Sequence, residues 1–130
     1  MKLETNESVY EHMGKMCEGW GEDLMGKHGY SAVGAVVGAT YPEQLGEMRA
    51  KLPHTFFLVP GYGAQGGGAD DVKNAFDENG LCAIINSSRG IMCAWKKQGL
   101  TEEDFAVAAR KEAERMRDEI VGCIGKIKLG

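Results

Sequence analysis

Three short apolar segments, each followed by small or polar residues and then by a helical pattern, constrain the fold of this chain most strongly. They comprise residues 32–39, 55–59 and 81–85, and they begin 22 and 26 residues apart, counted from Val33 to Thr55 to Leu81. Small and β-branched residues without polar alternation are typical of parallel strands that are buried on both faces. The pattern predicts three parallel β–loop–helix units joined by right-handed crossovers.

Apolar periodicity also predicts a helix ahead of the first strand. Residues 7–24 carry apolar side chains three or four positions apart, which is the spacing of the core-facing side of an amphipathic helix. The residues of this stripe are Val9, Met13, Met16, Trp20 and Leu24. We therefore expect the stripe to be part of the core.

Each strand is followed by its own helix. After the first strand, Thr40 is expected to cap a helix, with Pro42 in its first turn and Glu43 completing a capping box. That helix buries Leu45, Met48 and Leu52. A short helix from Asp70 turns Val72, Ala75 and Phe76 inward. The longest helix is capped within residues 101–104 and buries Phe105, Ala109, Ala113, Met116 and Ile120.

Composition narrows the class of protein. A net charge of −4 gives no electrostatic footprint for nucleic acid, and no apolar run is long enough to span a membrane. The polar N-terminal residues are unlike a signal peptide, so a cytoplasmic location is expected. The four cysteines are widely spaced without a C-x-x-C pair, which argues against a metal site.

The length of 130 residues allows one domain, residues 1–130, and no second one. A complete (β/α)₈ barrel typically needs about 250 residues. Three strands therefore form either an open three-stranded sandwich or a part of a larger barrel. A separate parallel sheet of this size would leave two bare edges, which proteins usually cover.

Two of the segments that follow strands could bind an anion. Residues 60–68 form a glycine-rich loop in which Gln65 is the one strong hydrogen-bonding side chain, and glycines let backbone N–H groups approach an anion. In residues 86–90, Arg89 stands between two serines and Gly90, a combination suited to phosphate. The first loop could instead be a flexible connector, and the second could be a surface turn with an exposed arginine. Barrel enzymes often place a phosphate site after their last two strands.

Residues 37–43 (VGATYPE), 58–67 (LVPGYGAQGG) and 86–91 (NSSRGI) resemble consecutive motifs of the bacterial branch of orotidine 5′-monophosphate decarboxylases. The motifs stand in the family's order and approximate spacing, and the resemblance covers nearly the whole chain. It implies a fold class of α/β type, a (β/α)₈ TIM-barrel fragment with an N-terminal helix and three parallel βα units. These units would be strands six, seven and eight of a homodimeric barrel that needs no metal or organic cofactor.

The resemblance also implies the roles of individual residues. Gln65 and Arg89 would grip the 5′-phosphate of orotidine 5′-monophosphate or UMP, and Pro60 would lie beside the pyrimidine. Backbone groups near Ser88 and Gly90 would complete the phosphate cradle.

The family's catalytic array of lysine and aspartates has no counterpart on a predicted strand of this chain. Asp70, Asp71 and Lys73 begin a short helix, where a helix cap and a solvated face explain them. We therefore assign no catalytic residue and expect no turnover by the chain alone. A homodimer or a complementary barrel half is the expected partner.

Two other functions remain open from the sequence. The phosphate site is shared widely among barrels, so the chain could belong to a different phosphate-ester enzyme. It could also be a non-catalytic binding or interaction protein that has retained a phosphate loop.

Overall fold

The structure, a computed structural model, describes residues 1–4, 6–63, 68–125 and 127. Within them are six α-helices and three β-strands, in the order α1 (Val9–Trp20), β1 (Gly34–Val36), α2 (Pro42–Lys51), β2 (Phe56–Pro60), α3 (Ala69–Val72), β3 (Ala83–Asn86), α4 (Ser88–Met92), α5 (Ala94–Lys97) and α6 (Phe105–Ile124). Single 3₁₀ turns occupy Glu22–Leu24, Lys73–Ala75 and Glu102–Asp104. No helix among these residues is long and apolar enough to cross a membrane.

The three strands form one parallel sheet in the order β1-β2-β3. Val36 of β1 lies beside Leu58 of β2, which lies beside Ile84 of β3. The predicted helix followed by three parallel βα units is therefore confirmed. In this sheet the outer edges of β1 and β3 have no strand beside them among the described residues.

One face of the sheet carries the hydrophobic core. Phe57 and Val59 of β2 are fully buried on this face. The helices that cover it contribute the side chains Leu45, Met48, Leu52, Val72, Met116 and Ile120. These burials confirm the inward face predicted for α2. Of the residues predicted to face inward from Asp70 onward, Val72 and Ala75 are buried and Phe76 is half-buried.

The opposite face of the sheet is open, which corrects the prediction of strands buried on both faces. Val36 is 69% exposed, Leu58 42% and Ile84 60%, and the register places these three side chains in one row. The core helices all pack on the other side of the sheet. In a closed barrel, such a row packs against side chains from the remaining strands, whereas the described residues form a sheet of three strands.

The apolar stripe of α1 is not core, contrary to prediction. Met13, Met16 and Trp20 are exposed, and the buried residue of this helix is Gly14. A Cβ atom at Gly14 would stand 2.2 Å from the Met48 side chain, so α1 approaches α2 through its backbone. Of these side chains, Met13 lies in a groove that residues of β1 also line.

The ends of the helices match the prediction only in part. Thr40 does not cap α2, because the helix begins at Pro42 and its N-cap residue is Tyr41. In α6, Met116 and Ile120 are buried, but Phe105 is 60% exposed because it lies at the very start of the helix. Ala109 is half-buried and Ala113 is exposed, while Ala108 faces the core.

Arg49 of α2 is buried in the core, where sequence reasoning placed no charge. Its guanidinium lies 4.0 Å from the centroid of the Phe57 ring. It also donates hydrogen bonds to the backbone carbonyl groups of Leu52, Thr55, Ala75 and Cys82. One side chain thus joins the end of α2 to the residues that precede β2 and β3.

Candidate functional site

The predicted site lies where β2 and β3 end side by side. Pro60, the last residue of β2, pairs with Asn86, the last residue of β3. The backbone N–H of Ala39, just beyond β1, donates a hydrogen bond of 3.2 Å to the carbonyl of Pro60. All three βα connections therefore leave the sheet at the C-terminal ends of the strands, which is where parallel α/β folds form their sites.

The segment after β3 is organised around Ser87. This residue is buried, and its backbone carbonyl accepts the first hydrogen bond of the following turn, from the N–H of Ile91 at 2.9 Å. A Cβ atom at Gly90 would lie 2.3 Å from the Ser87 hydroxyl oxygen, so this position admits only glycine without displacing Ser87. What the sequence suggested was a loop of residues 86–90 is therefore a strand end followed directly by the first turn of α4.

Ser88, Arg89 and Gly90 form that first turn of α4. The first N–H groups of a helix have no acceptor within the helix, so the backbone here can donate to a ligand. Ser88 and Arg89 are exposed, and Arg89 forms no salt bridge with any other described residue. The structure brings these three residues to the same end of the sheet as Pro60, the C-terminal ends of the strands.

The glycine-rich loop is described only at its two ends. Gln65, the predicted ligand of this loop, lies outside the described residues. Gly61 and Gly63 have φ angles of +103° and +77°, backbone conformations that residues with a side chain rarely adopt. At the other end, the backbone N–H of Gly68 donates a 2.7 Å hydrogen bond to the Asp71 carboxylate.

Sequence reasoning missed the role of Tyr62, which anchors the beginning of this loop. Tyr62 is buried, its hydroxyl donates a hydrogen bond to the carboxylate of Glu119 on α6, and its backbone carbonyl accepts one from Ser87 at 3.0 Å. Burial and the neighbouring carboxylate raise the pKa of Tyr62 to about 12. No local signal could reveal this partner, because Glu119 lies 57 positions further along the chain.

The acidic residues beside the glycine loop have structural partners. Lys73 forms a salt bridge of 2.8 Å with Asp70, and Asp71 caps the start of α3 through Gly68. None of the residues of β1, β2 and β3 is a lysine, an aspartate or a glutamate. In the part of the chain that the structure describes, no group of three or more potential ligands is placed to hold a metal ion.

A separate groove of about 680 Å³ lies between α1, β1 and α2. Its walls are mostly apolar and include Tyr10, Met13, Cys17, Tyr41 and Met48. None of the predicted site residues that the structure describes lines it. The groove runs along β1 and reaches the first βα connection at Gly38, Thr40 and Tyr41.

Parallel βα units whose loops gather at the C-terminal ends of the strands define a chain of the α/β class, which includes (β/α) barrels and doubly wound sheets. No protein-family model matches the chain. Among known proteins, it is 47% identical over 116 residues to an orotidine 5′-phosphate decarboxylase of Clostridium tetani, an alignment that covers 89% of the chain. It is 50% identical over 112 residues, 86% of the chain, to one of Clostridium perfringens.

Solved structures give the same result. The fold superposes on a putative orotidine-monophosphate decarboxylase from Toxoplasma gondii with a TM-score of 0.71 and 26% identity, covering 97% of the chain and 46% of that structure. It superposes on the UMP synthase of Leishmania donovani with a TM-score of 0.67 and 31% identity, covering 92% of the chain and 24% of that structure.

The chain is thus similar to orotidine 5′-phosphate decarboxylases along most of its own length. It spans only 40% of the length of the C. tetani relative and 38% of the C. perfringens relative. The similarity is consistent with the C-terminal part of the bacterial-type enzyme, as the sequence motifs predicted.

Proposed function

We propose that this chain is a fragment that supplies the phosphate-binding part of an orotidine 5′-phosphate decarboxylase, the lyase that converts OMP to UMP in pyrimidine biosynthesis. The pairing of Pro60 with Asn86 carries the proposal, because it brings the glycine loop and the Arg89 turn to one sheet edge. Relatives bearing this enzyme name match the chain along most of its length.

The residues suit a phosphate monoester. The Arg89 guanidinium can form two parallel hydrogen bonds to phosphate oxygens, and it has no competing acidic partner among the described residues. Backbone N–H groups of the Ser88–Gly90 turn add neutral donors. By the family resemblance, Gln65 would be the second side chain on the phosphate, and Pro60 would contact the pyrimidine ring.

Catalysis requires groups that this chain does not carry on its strands. Electrostatic stabilisation around the reacting carbon is usually the largest catalytic contribution, and a phosphate grip does not provide it. We therefore propose a working unit in the cytoplasm in which a complementary barrel half, or a second copy of the chain, covers the open sheet face. Val36, Leu58 and Ile84 would be buried in that unit.

A binding experiment tests the phosphate site. Isothermal titration of the purified chain with UMP and with uridine should show binding of UMP and a much weaker response to the nucleoside, which lacks the phosphate. Equal affinities for the two compounds would contradict the site.

A complementation experiment tests the missing part. The chain can be co-expressed with the segment of the C. tetani relative that lies outside the matched region. We expect OMP turnover only when both pieces are present and expect Arg89→Ala to lower it. Turnover that is independent of the 130-residue chain would contradict the proposal.

The absence of a lysine or an acidic residue on β1, β2 and β3 favours a second candidate, a non-catalytic protein that binds phosphate esters. UMP binding without any restored turnover in the complementation experiment would support this candidate.

A further inference from the structure

Two hydrogen bonds of Tyr62 join three parts of the molecule that are far apart in sequence. Its backbone carbonyl accepts the Ser87 hydroxyl at 3.0 Å, which links the start of the glycine loop to the start of the Arg89 turn. Its side-chain hydroxyl donates to the Glu119 carboxylate on α6. The start of the glycine loop is therefore joined both to the start of the Arg89 turn and to α6.

The surroundings leave Tyr62 little freedom to move. Its side chain is 5% exposed and belongs to the core cluster, and glycines with positive φ angles flank it on both sides. Gly63 lies close to the same Ser87 hydroxyl, which a Cβ atom at Gly63 would approach to 4.0 Å. A shift of Tyr62 would consequently move both loops.

Glu119 is itself held in place on the surface of α6. Arg115 forms salt bridges with Glu119 and with Glu112, the latter at 2.6 Å, so the acceptor of the Tyr62 hydroxyl has a defined orientation. The ion pair between Arg115 and Glu119 contributes little to the stability of the fold, because exposed ion pairs are weak. Its effect on geometry is the relevant one here.

We infer that Tyr62, through Ser87 and Glu119, is a positioning residue that sets the distance between the glycine loop and the Arg89 turn and thereby determines phosphate affinity. This inference rests on the proposed function. A site that is held in its binding geometry loses less free energy on ordering when the ligand arrives. Tyr62 does not need to touch the ligand to have this effect.

The structure offers a matched control in Tyr30. Its hydroxyl also donates to a carboxylate, that of Asp77, in a partly buried position. Asp77 lies in the turn before β3, at the opposite end of the sheet from the proposed site, and its other oxygen accepts N–H groups of Asn79 and Leu81. Tyr30→Phe and Tyr62→Phe thus remove the same kind of hydrogen bond at the two ends of the strands.

The test measures the affinity of the folded chain for UMP and for inorganic phosphate in both variants. Tyr62→Phe should weaken the binding of both ligands by the same factor, roughly three- to tenfold, the scale of one net hydrogen bond. Tyr30→Phe should leave both affinities unchanged, even if it lowers the unfolding midpoint as much as Tyr62→Phe does. Ser87→Ala should reproduce the effect of Tyr62→Phe.

Conservative replacement of the acceptor separates positioning from general destabilisation. Glu119→Gln retains an oxygen that can accept the Tyr62 hydroxyl, so it should keep more phosphate affinity than Glu119→Ala does. Equal losses in Tyr62→Phe and Tyr30→Phe, or no loss in Tyr62→Phe, would overturn the inference while leaving the phosphate site intact. If the unmodified chain binds neither UMP nor phosphate, the proposed function fails and this inference fails with it.

Discussion

Pro60 at the end of β2 lies in register beside Asn86 at the end of β3, so the two connections that carry the proposed anion-binding residues leave the sheet together. Their sequence separation is 26 positions, which only a parallel crossover with its helix can bridge. Each loop is ambiguous singly, and their common position makes the pair a candidate site. It also identifies the side chains whose replacement should matter.

Arg89→Ala should weaken UMP binding by on the order of 1–3 kcal/mol, the usual scale of a charge-assisted hydrogen bond. The reason is that the guanidinium is the one cationic side chain of the α4 first turn. Titration calorimetry at fixed ionic strength measures the change. Arg110→Ala is the control, since Arg110 is exposed on α6 and pairs with Glu114. Unchanged UMP affinity in Arg89→Ala would refute the assignment.

The isolated chain should not decarboxylate OMP. Its strands carry no lysine or acidic residue, and binding energy at a remote phosphate accelerates chemistry only when groups around the reacting carbon can use it. A spectrophotometric assay of OMP consumption with highly purified protein decides the matter. Turnover that co-purifies with the chain and disappears in Arg89→Ala would show that a catalytic lysine has been misjudged.

The chain should self-associate at micromolar concentration. The row of Val36, Leu58 and Ile84 is exposed across all three strands, and such contiguous apolar surface favours pairing with another copy. Light scattering should give a mass above that of one chain. Leu58→Lys, in the middle of the row, should shift the distribution towards monomer.

Val107→Lys is the control for this experiment, because Val107 is also exposed, at 56%, but stands on α6 and not in the sheet. A monodisperse unmodified monomer with a sharp, cooperative unfolding transition would mean that the three units are sufficient by themselves. In that case the proposal of a missing partner would be wrong.

Arg49→Met should destabilise the fold by at least about 2 kcal/mol, because leaving buried carbonyl groups without donors costs roughly 1–3 kcal/mol. Four backbone carbonyls accept from this side chain, and Phe57 lies against it. Urea unfolding followed by circular dichroism measures the change, with Arg110→Ala as the surface control. A midpoint equal to that of the unmodified chain would contradict the assigned role.

Alkaline pH should weaken the fold through Tyr62. The folded state raises the pKa of this residue from its ordinary value of 10.0 to about 12, chiefly by burial. The contribution of Tyr62 to the free energy of unfolding is therefore fully present below pH 10 and is lost as the pH rises towards 12. The free energy of unfolding should fall less over this range in Tyr62→Phe than in the unmodified chain. Parallel curves for the two proteins would show that Tyr62 contributes nothing to the pH dependence.

The amino-acid sequence by itself determined the order of the three strands and of the main helices between them, and it supplied the candidate site as a prediction. Apolar segments are local, so the three parallel βα units and the inward face of α2 could be predicted from them, whereas α4 begins in residues for which the sequence predicts a loop. Thr40 was misassigned as a cap because the chain continues one residue further before helical geometry begins at Pro42.

Tertiary structure decided which apolar surfaces are buried. The sequence pattern of β1, β2 and β3 is that of strands covered on both sides, yet Val36 and Ile84 are exposed because the described helices cover one face only. The same holds for Met13 and Trp20 of α1. Local periodicity records that a side chain is apolar, whereas its burial depends on whether another part of the barrel is present to cover it. Arg49 and the hydrogen bond from Tyr62 to Glu119 were equally beyond local patterns, since their partners are distant in sequence.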